Sequence, residues 1–181
     1  DISGDRPVAV MLNNLKKALP QLGVAQADLI YEMPAEGGIT RMMAVYQSLD
    51  GVGNIGSVRS ARDYYVSLAY GMDAIFVHAG GSPQAYDALQ DWGVTHLDGV
   101  NGSFESGLFW RDQQRKKSMG LEHSLLTSGE KLEQILSDCE QIKHYASLYF
   151  NHDSVFFIGR NLDYALGLEG SLKLKEISYI H

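Results

Sequence analysis

Short apolar runs punctuated by glycine and proline dominate the first part of the chain, and helical spacing dominates the last part. Val8–Leu12 is a continuous apolar run behind Pro7, the pattern of a buried strand, and Asn13 and Asn14 close it. Leu15–Leu19 predicts a turn or short helix stopped by Pro20. Ala27–Met33 carries Leu29, Ile30 and Tyr31 behind Asp28, which suits the entry of either a helix or a strand. Gly37-Gly38 breaks the chain. Thr40–Ser48 is rich in strand formers and predicts a strand with a paired neighbour. Three glycines within Asp50–Gly56 predict a loop.

Ser60–Tyr70 has helical spacing, with Tyr64 and Leu68 on one face and Ala61, Tyr65 and Ala69 on another; Gly71 suits its end. Ala74–His78 is the clearest buried strand. It runs into Ala79-Gly80-Gly81-Ser82-Pro83, and a helix is predicted over Gln84–Gln90, ending near Gly93. Strand, glycine turn and helix make a βα unit. Asn101–Phe109 reads as a loop. Glu130–Leu148 is an amphipathic helix by the recurrence of Leu132, Ile135, Leu136, Ile142 and Tyr145. A strand at Ser154–Ile158, a turn at Gly159 and a helix over Ala165–His181 complete the pattern, without internal repeats. The expected class is α/β with a mixed sheet, followed by a helix–strand–helix piece.

Composition adds bounds. With 181 residues and 45% apolar content, the chain holds one medium domain, alone or with an appendage. A net charge of −7 argues against a nucleic-acid partner. The longest basic cluster, Arg111, Arg115, Lys116 and Lys117, reads as a solvated loop or helix end, or else as an anion contact. Cys139 is the sole cysteine, so neither a disulfide framework nor a Cys-rich zinc site is expected. No apolar run approaches the ~18 residues of a membrane span. The sequence starts at Asp1 without Met, so a removed or absent leading segment is expected, with room for a signal or lipoprotein peptide.

Glu36, Arg41, Arg59, Arg62, Asp63, His78, Arg111 and Asp112 are polar groups in or beside apolar runs. Unpaired buried charge is costly, so they must be paired, exposed or gathered in a cleft. One reading is a set of structural Arg–carboxylate pairs with a satisfied core histidine. The other is a pocket whose arginines, Arg41, Arg59, Arg62 and Arg111, hold an anionic ligand through bidentate bonds. His78 then stands at the carboxyl end of its strand, and the Gly80-Gly81-Ser82 turn offers backbone N–H groups at a helix start. The glycines are followed by neither Lys-Ser/Thr nor a third spaced glycine, so this is not a Walker or dinucleotide loop. A triad from His78, Ser82 and an acid lacks the G-x-S-x-G elbow. A metal held by His78, Glu36 and Asp63 lacks paired-histidine spacing. No metal and no cofactor are expected. Tyr64, Tyr65, Tyr86, Trp92 and Trp110 suit sugar stacking or plain core.

The motifs RPVAVMLNN, QADLIYE, EGGITRMMAVYQS, IGSVRSARDYYVSLA, DAIFVHAGGSPQAYDAL, LDG and FWRD occur in that order between Arg6 and about Leu132. Together they resemble the YerB-like family of bacterial lipoproteins, whose activity is not established. The resemblance implies a mixed α/β domain on the outer face of a Gram-positive-type membrane, carried by a lipid-modified N-terminus. This sequence shows no lipobox.

The end of the chain, FFIGRNLDYALGLEGSLKLKEISYIH (Phe156 to His181), resembles the sugar isomerase domain of glucosamine-6-phosphate synthase, the isomerising glutamine:fructose-6-phosphate aminotransferase. The likeness starts near Glu140. It implies that Glu176 moves a proton during ketose–aldose isomerisation, with Glu169 and Lys173 in the same centre. Those three positions share one helix face, which is also the arrangement of an exposed ion-pair stripe. The family's serine- and threonine-rich sugar-phosphate loops, its downstream histidine, its C-terminal lysine and its glutaminase domain have no counterpart in this sequence, so no isomerase or synthase turnover is expected. The chain thus reads as a composite: a YerB-like domain over about 1–130 and an isomerase-like segment over about 131–181, joined within Ser128–Gln141. The expected function is a non-catalytic, envelope-associated binding domain for an anionic or glycan ligand. A fragment of an amino-sugar-forming enzyme and an engineered chimera without natural function are the alternatives. The two resemblances imply different compartments, one outside the membrane and one cytoplasmic.

Overall fold

A computed structural model describes residues 5–101 and 107–137. The chain divides into two units, Asp1–Leu136 and Ser137–His181. All elements named below belong to the first, save the end of the helix at 129–137. Cys139, the predicted helix beyond Ser137, the strand at Ser154–Ile158, the helix over Ala165–His181, and Glu169, Lys173 and Glu176 lie outside the described residues.

Strand β1 (Val8–Asn13) is buried along its whole length, and the sheet is built around it. β3 (Thr40–Tyr46) runs antiparallel to β1, from Val8 opposite Tyr46 to Asn13 opposite Arg41. On the other side β5 (Ile75–His78) runs parallel to β1. β2 (Leu29–Pro34) and β6 (His96–Asp98) are the edges, giving a five-stranded mixed sheet in the order β2-β3-β1-β5-β6. A second, antiparallel sheet has the order β4-β8-β7, from Asn54–Gly56, Leu125–Ser128 and Trp110–Arg111. The mixed α/β architecture is the one expected.

Both faces of the main sheet are covered, which is why β1 reads as unbroken apolar sequence rather than as alternation. Ala9, Met11, Met43, Val45 and Phe76 pack with Tyr65, Val66 and Ala69 of α1 (Asp63–Gly71) and Ala85 and Leu89 of α2 (Pro83–Asp91). Val8, Val10, Leu12, Met42, Ala44 and Val77 face the other way, in a cluster with Ile55, Val58, Leu108, Phe109, Leu125 and Leu132. Leu132 lies on the helix described over 129–137, with Ile135 and Leu136 against the same cluster; this is the start of the amphipathic pattern read from sequence.

α2 begins as its sequence dictates. Ser82 Oγ accepts from the Ala85 amide at 3.2 Å, and Pro83 occupies the first turn. α1 starts at Asp63 rather than Ser60, because 57–61 is used as extended chain. β1 and β5 pair only over Val8–Val10 and Ile75–Val77, and their carboxyl ends part. Segment 57–61 fills that gap: Asn13 N donates to Ser57 O, Arg59 N to Met11 O, Ala79 N to Arg59 O and Ala61 N to Gly80 O. Of the two readings open for Ala27–Met33 the strand is the one formed, as edge strand β2, and α3 (Gln113–Met119) forms inside the basic cluster that read as a loop or helix end.

Candidate functional site

The wedge at 57–61 brings polar residues from distant parts of the sequence to the carboxyl ends of β1 and β5. Arg41, opposite Asn13 at the start of β3, points toward α1 and is 6% exposed. Its Nη1 donates to Ser60 O at 2.8 Å. Among the described residues it has no carboxylate within ion-pair distance. Burial, followed by the neighbouring Arg62 and Arg59 guanidiniums, pushes its pKa below the usual arginine value. Arg41 and Arg62 therefore stand close together, bonded to the adjacent carbonyls of Ser60 and Ala61, and the charge of Arg59 is felt there; all three are arginines that the sequence singled out.

Arg62 is the residue that precedes α1. Its guanidinium meets Glu36 edge to edge: Nε donates to Oε1, and Nη2 donates to Oε2 at 2.8 Å, while Nη1 donates to Ala61 O at 2.7 Å. The bidentate bond, first, and the Arg62 charge hold the Glu36 carboxyl down at about 2. Glu36 stands on the turn between β2 and β3, where Gly37 and Gly38 both take positive φ, at 74° and 71°. Its side chain keeps 66% of its exposure, against 14% for Arg62. Tyr64 closes the side, its hydroxyl donating to Pro34 O at 2.8 Å. Arg59 turns the other way, with Nη1 donating to Glu122 O at 3.1 Å and lying 3.7 Å from the Glu122 carboxylate.

His78 is at the expected strand end but sealed in. It is fully buried, with Nδ1 2.8 Å from Gly80 O and Nε2 2.9 Å from His96 Nδ1. Asp98, at the end of β6, takes the place a ligand anion was expected to occupy. Its Oδ1 accepts from the Gly80 amide at 2.8 Å and the Val100 amide at 2.9 Å, and its Oδ2 accepts from the Tyr86 hydroxyl at 2.6 Å. Gly80 and Gly81 are thus occupied in holding the βα turn: Gly80 O receives Ala61 N, and Gly81 bridges Ala61. Ser82 caps α2. Sequence reasoning gave no role to Asp98, because one aspartate in a three-residue strand carries no periodic signal.

Arg111 stands outside the group at Arg41. Its Nη1 donates to Leu121 O at 2.9 Å. Arg115, read as part of a solvated basic run, is in fact 8% exposed. It donates to Ala18 O at 2.6 Å, Pro20 O at 3.0 Å and His123 O at 3.2 Å. The charge is sequestered because three carbonyls surround it. Arg59, Arg111 and Arg115 each take one carbonyl of the turn Leu121–His123 and clamp it.

A depression of about 410 Å³ lies at the opposite end of the sheet, lined by Asp5, Pro7, Asp28, Leu29, Val45, Gln47 and Met72. It presents carboxylates and apolar groups and none of the arginines. Among the described residues, no group of three or more His, Cys, Asp or Glu is placed to hold a metal ion. Among them, too, no helix is long and apolar enough to cross a membrane.

Residues 1–142 match the family described as protein of unknown function (DUF3048), N-terminal domain. The chain belongs to that family. YerB of Bacillus subtilis (strain 168), named as a candidate lipoprotein, is 47% identical over 106 residues, 59% of this chain and 31% of that protein. The crystal structure of B. subtilis YerB superposes with a TM-score of 0.65 at 39% identity, covering 75% of this chain and 44% of the other. The DUF3048 chain therefore spans less than half of the relative it matches, with the mixed α/β fold in common. Its C-terminal region is similar to isomerising glutamine–fructose-6-phosphate aminotransferases. The Symbiobacterium thermophilum enzyme is 49% identical over 77 residues, 40% of this chain and 13% of the enzyme. That of Caldanaerobacter subterraneus subsp. tengcongensis is 56% identical over 52 residues, 29% of this chain and 9% of the enzyme.

Proposed function

We propose that the domain is a non-catalytic binding module that takes a small anionic ligand, free or carried on a glycan, at the face formed by Arg41 and Arg62, with Arg59 nearby. The supporting observation is Arg41. A guanidinium at 6% exposure with no carboxylate beside it among the described residues is an incomplete arrangement, in contrast to Arg115 with its three carbonyls. An anion bridging Arg41 and Arg62 completes it through charge-assisted bonds. Tyr64 offers a ring beside it for a sugar. Similarity to a candidate lipoprotein supports a place at the cell envelope.

The test is thermal unfolding across titrations of phosphate, sulfate and succinate. A ligand that binds only the folded state raises Tm with concentration. A saturable rise in the wild type, lost in Arg41→Gln and kept in Arg111→Gln, is expected. A rise that survives in Arg41→Gln, or no rise with any anion, overturns the proposal.

The similarity to aminotransferases supports a second reading, in which residues from about 131 onward derive from an amino-sugar-forming enzyme and Glu169, Lys173 and Glu176 bind a sugar phosphate. On this reading the chain is a composite, natural or engineered, and turns over no fructose 6-phosphate, since the segment spans 13% of the enzyme or less. Fructose 6-phosphate binding that depends on Glu176 favours it; binding that depends on Arg41 does not.

A further inference from the structure

We propose that Glu36 is a built-in stand-in for the ligand, and that the Arg41–Arg62 face therefore selects carboxylates over tetrahedral anions. The inference rests on the binding function proposed above and names its ligand class. The geometry points to it. A carboxylate already sits on Arg62 through two parallel contacts, Nε to one oxygen and Nη2 to the other, the pairing that a planar anion matches best. That carboxylate is delivered by a turn whose residues Glu36–Gly38 are exposed, and not by the core. Gly37 and Gly38, at the tip of that turn, have nothing within 4 Å of an added Cβ, so the tip has open space beside it.

The energetics allow exchange. Arg62 has a second anchor besides Glu36, the Ala61 carbonyl. Glu36 keeps most of its exposure, so water can solvate its carboxylate once an incoming carboxylate takes its place on the more buried Arg62. Arg41 makes the exchange favourable. It lies close enough to Glu36 to lower its pKa, yet outside ion-pair distance of its carboxylate. A free carboxylate, not tethered to the turn, can sit between both guanidiniums. Glu36 thus keeps Arg62 oriented and partly neutralised while the site is empty, and competes with any ligand that enters.

Calorimetric titration with succinate and with sulfate tests this on the full chain, as wild type, Glu36→Gln, Glu36→Ala and Arg41→Gln. Removing the competing charge is expected to tighten succinate binding by up to about fivefold in both Glu36 variants, the upper end of what loss of a surface ion pair sets. Sulfate is expected to gain less. Unchanged or weaker succinate binding in both Glu36 variants, with Arg41-dependent binding intact in wild type, overturns the stand-in role alone. An equal gain for sulfate overturns the carboxylate preference. Failure of every anion to bind in an Arg41-dependent way overturns this inference together with the function on which it rests.

Discussion

Asn13 Nδ2 and His123 Nδ1 lie 2.8 Å apart in the interior, and the Leu15 amide decides which of them donates. That amide gives its proton to Asn13 Oδ1 at 3.0 Å, so the other end of the side chain is the NH₂ group. His123 Nδ1 must accept, and a neutral ring then carries its proton on Nε2. The opposite tautomer holds at His78, at the end of the neighbouring strand β5. Gly80 O can only accept, so His78 has its proton on Nδ1 and receives another from His96 Nδ1.

The first prediction follows from these three rings. Burial is the leading cause that lowers the pKa of His78, His96 and His123; Arg59 adds to it at His123. The unfolded chain takes up protons near pH ~6.5, whereas the folded chain resists until lower pH. In that window the unfolded state holds more protons, so stability falls as pH falls. Urea unfolding is expected to give a constant midpoint above pH ~7.5 and a declining one below ~6.5. Nitrogen-15 spectra at pH ~7.5 should show the Nε2–H form for His123 and Nδ1–H forms for His78 and His96. An Nδ1–H tautomer at His123 contradicts the assignment.

Arg115 is predicted to be structural. Replacing it by Ala leaves the carbonyls of Ala18, Pro20 and His123 without a donor in a buried place, and about 3 kcal/mol of stability should be lost. Arg111→Ala removes one bond at a more exposed site and should cost under ~1 kcal/mol. Chemical unfolding of the two variants checks the difference; equal losses contradict it.

Asp98 is predicted to fasten the βα turn. Burial raises its pKa, but the Gly80 amide, the Tyr86 hydroxyl and the Val100 amide outweigh that and leave it lowered. Asp98→Ala orphans the two amides, and a loss of about 2–3 kcal/mol is expected. Hydrogen exchange at Gly80 and Val100 should accelerate more than at Ala9 in β1. Protection that stays unchanged at Gly80 argues against this role.

What the sequence disclosed follows from burial. β1 and β5 are covered on both faces, so they read as apolar runs, and Ser82-Pro83 marks the start of α2 without tertiary help. β4, β7 and β8 are two to four residues long and pair across as much as 74 positions, from Asn54 to Ser128, so no local period reveals them. α3 has no apolar face to betray it; the Asp112 cap, at 2.7 Å from the Arg115 amide, starts it. Arg41, Arg59 and Arg62 were legible as charges out of place among apolar neighbours. Arg115 read as part of a solvated basic run and Arg41 as a charge among strand formers, and neither local pattern shows that both are buried. The difference between them lies in carbonyls 95 and 97 residues away that reach Arg115 and not Arg41.

Two glycines in helices are predicted to respond with opposite sign. A Cβ on Gly129 would lie 2.4 Å from Val52 O and 2.8 Å from Leu49 O. Both obstacles are backbone, in the loop that the helix at 129–137 rests on, and Gly129 N is itself bonded to Gly53 O at 3.2 Å. Either the loop or the helix must shift. Overpacking of this kind costs about 1–3 kcal/mol, more than the ~1 kcal/mol that alanine gains over glycine in a helix. Gly129→Ala should therefore destabilise. Gly71, in the last turn of α1, has nothing within 4 Å of an added Cβ and no positive φ. Gly71→Ala should stabilise by about 0.5–1 kcal/mol, by restricting the unfolded chain. Unfolding midpoints of the two variants decide it. A neutral Gly129→Ala would mean that the loop at Leu49–Val52 yields without cost, and that the close approach does not constrain how the helix seats on it.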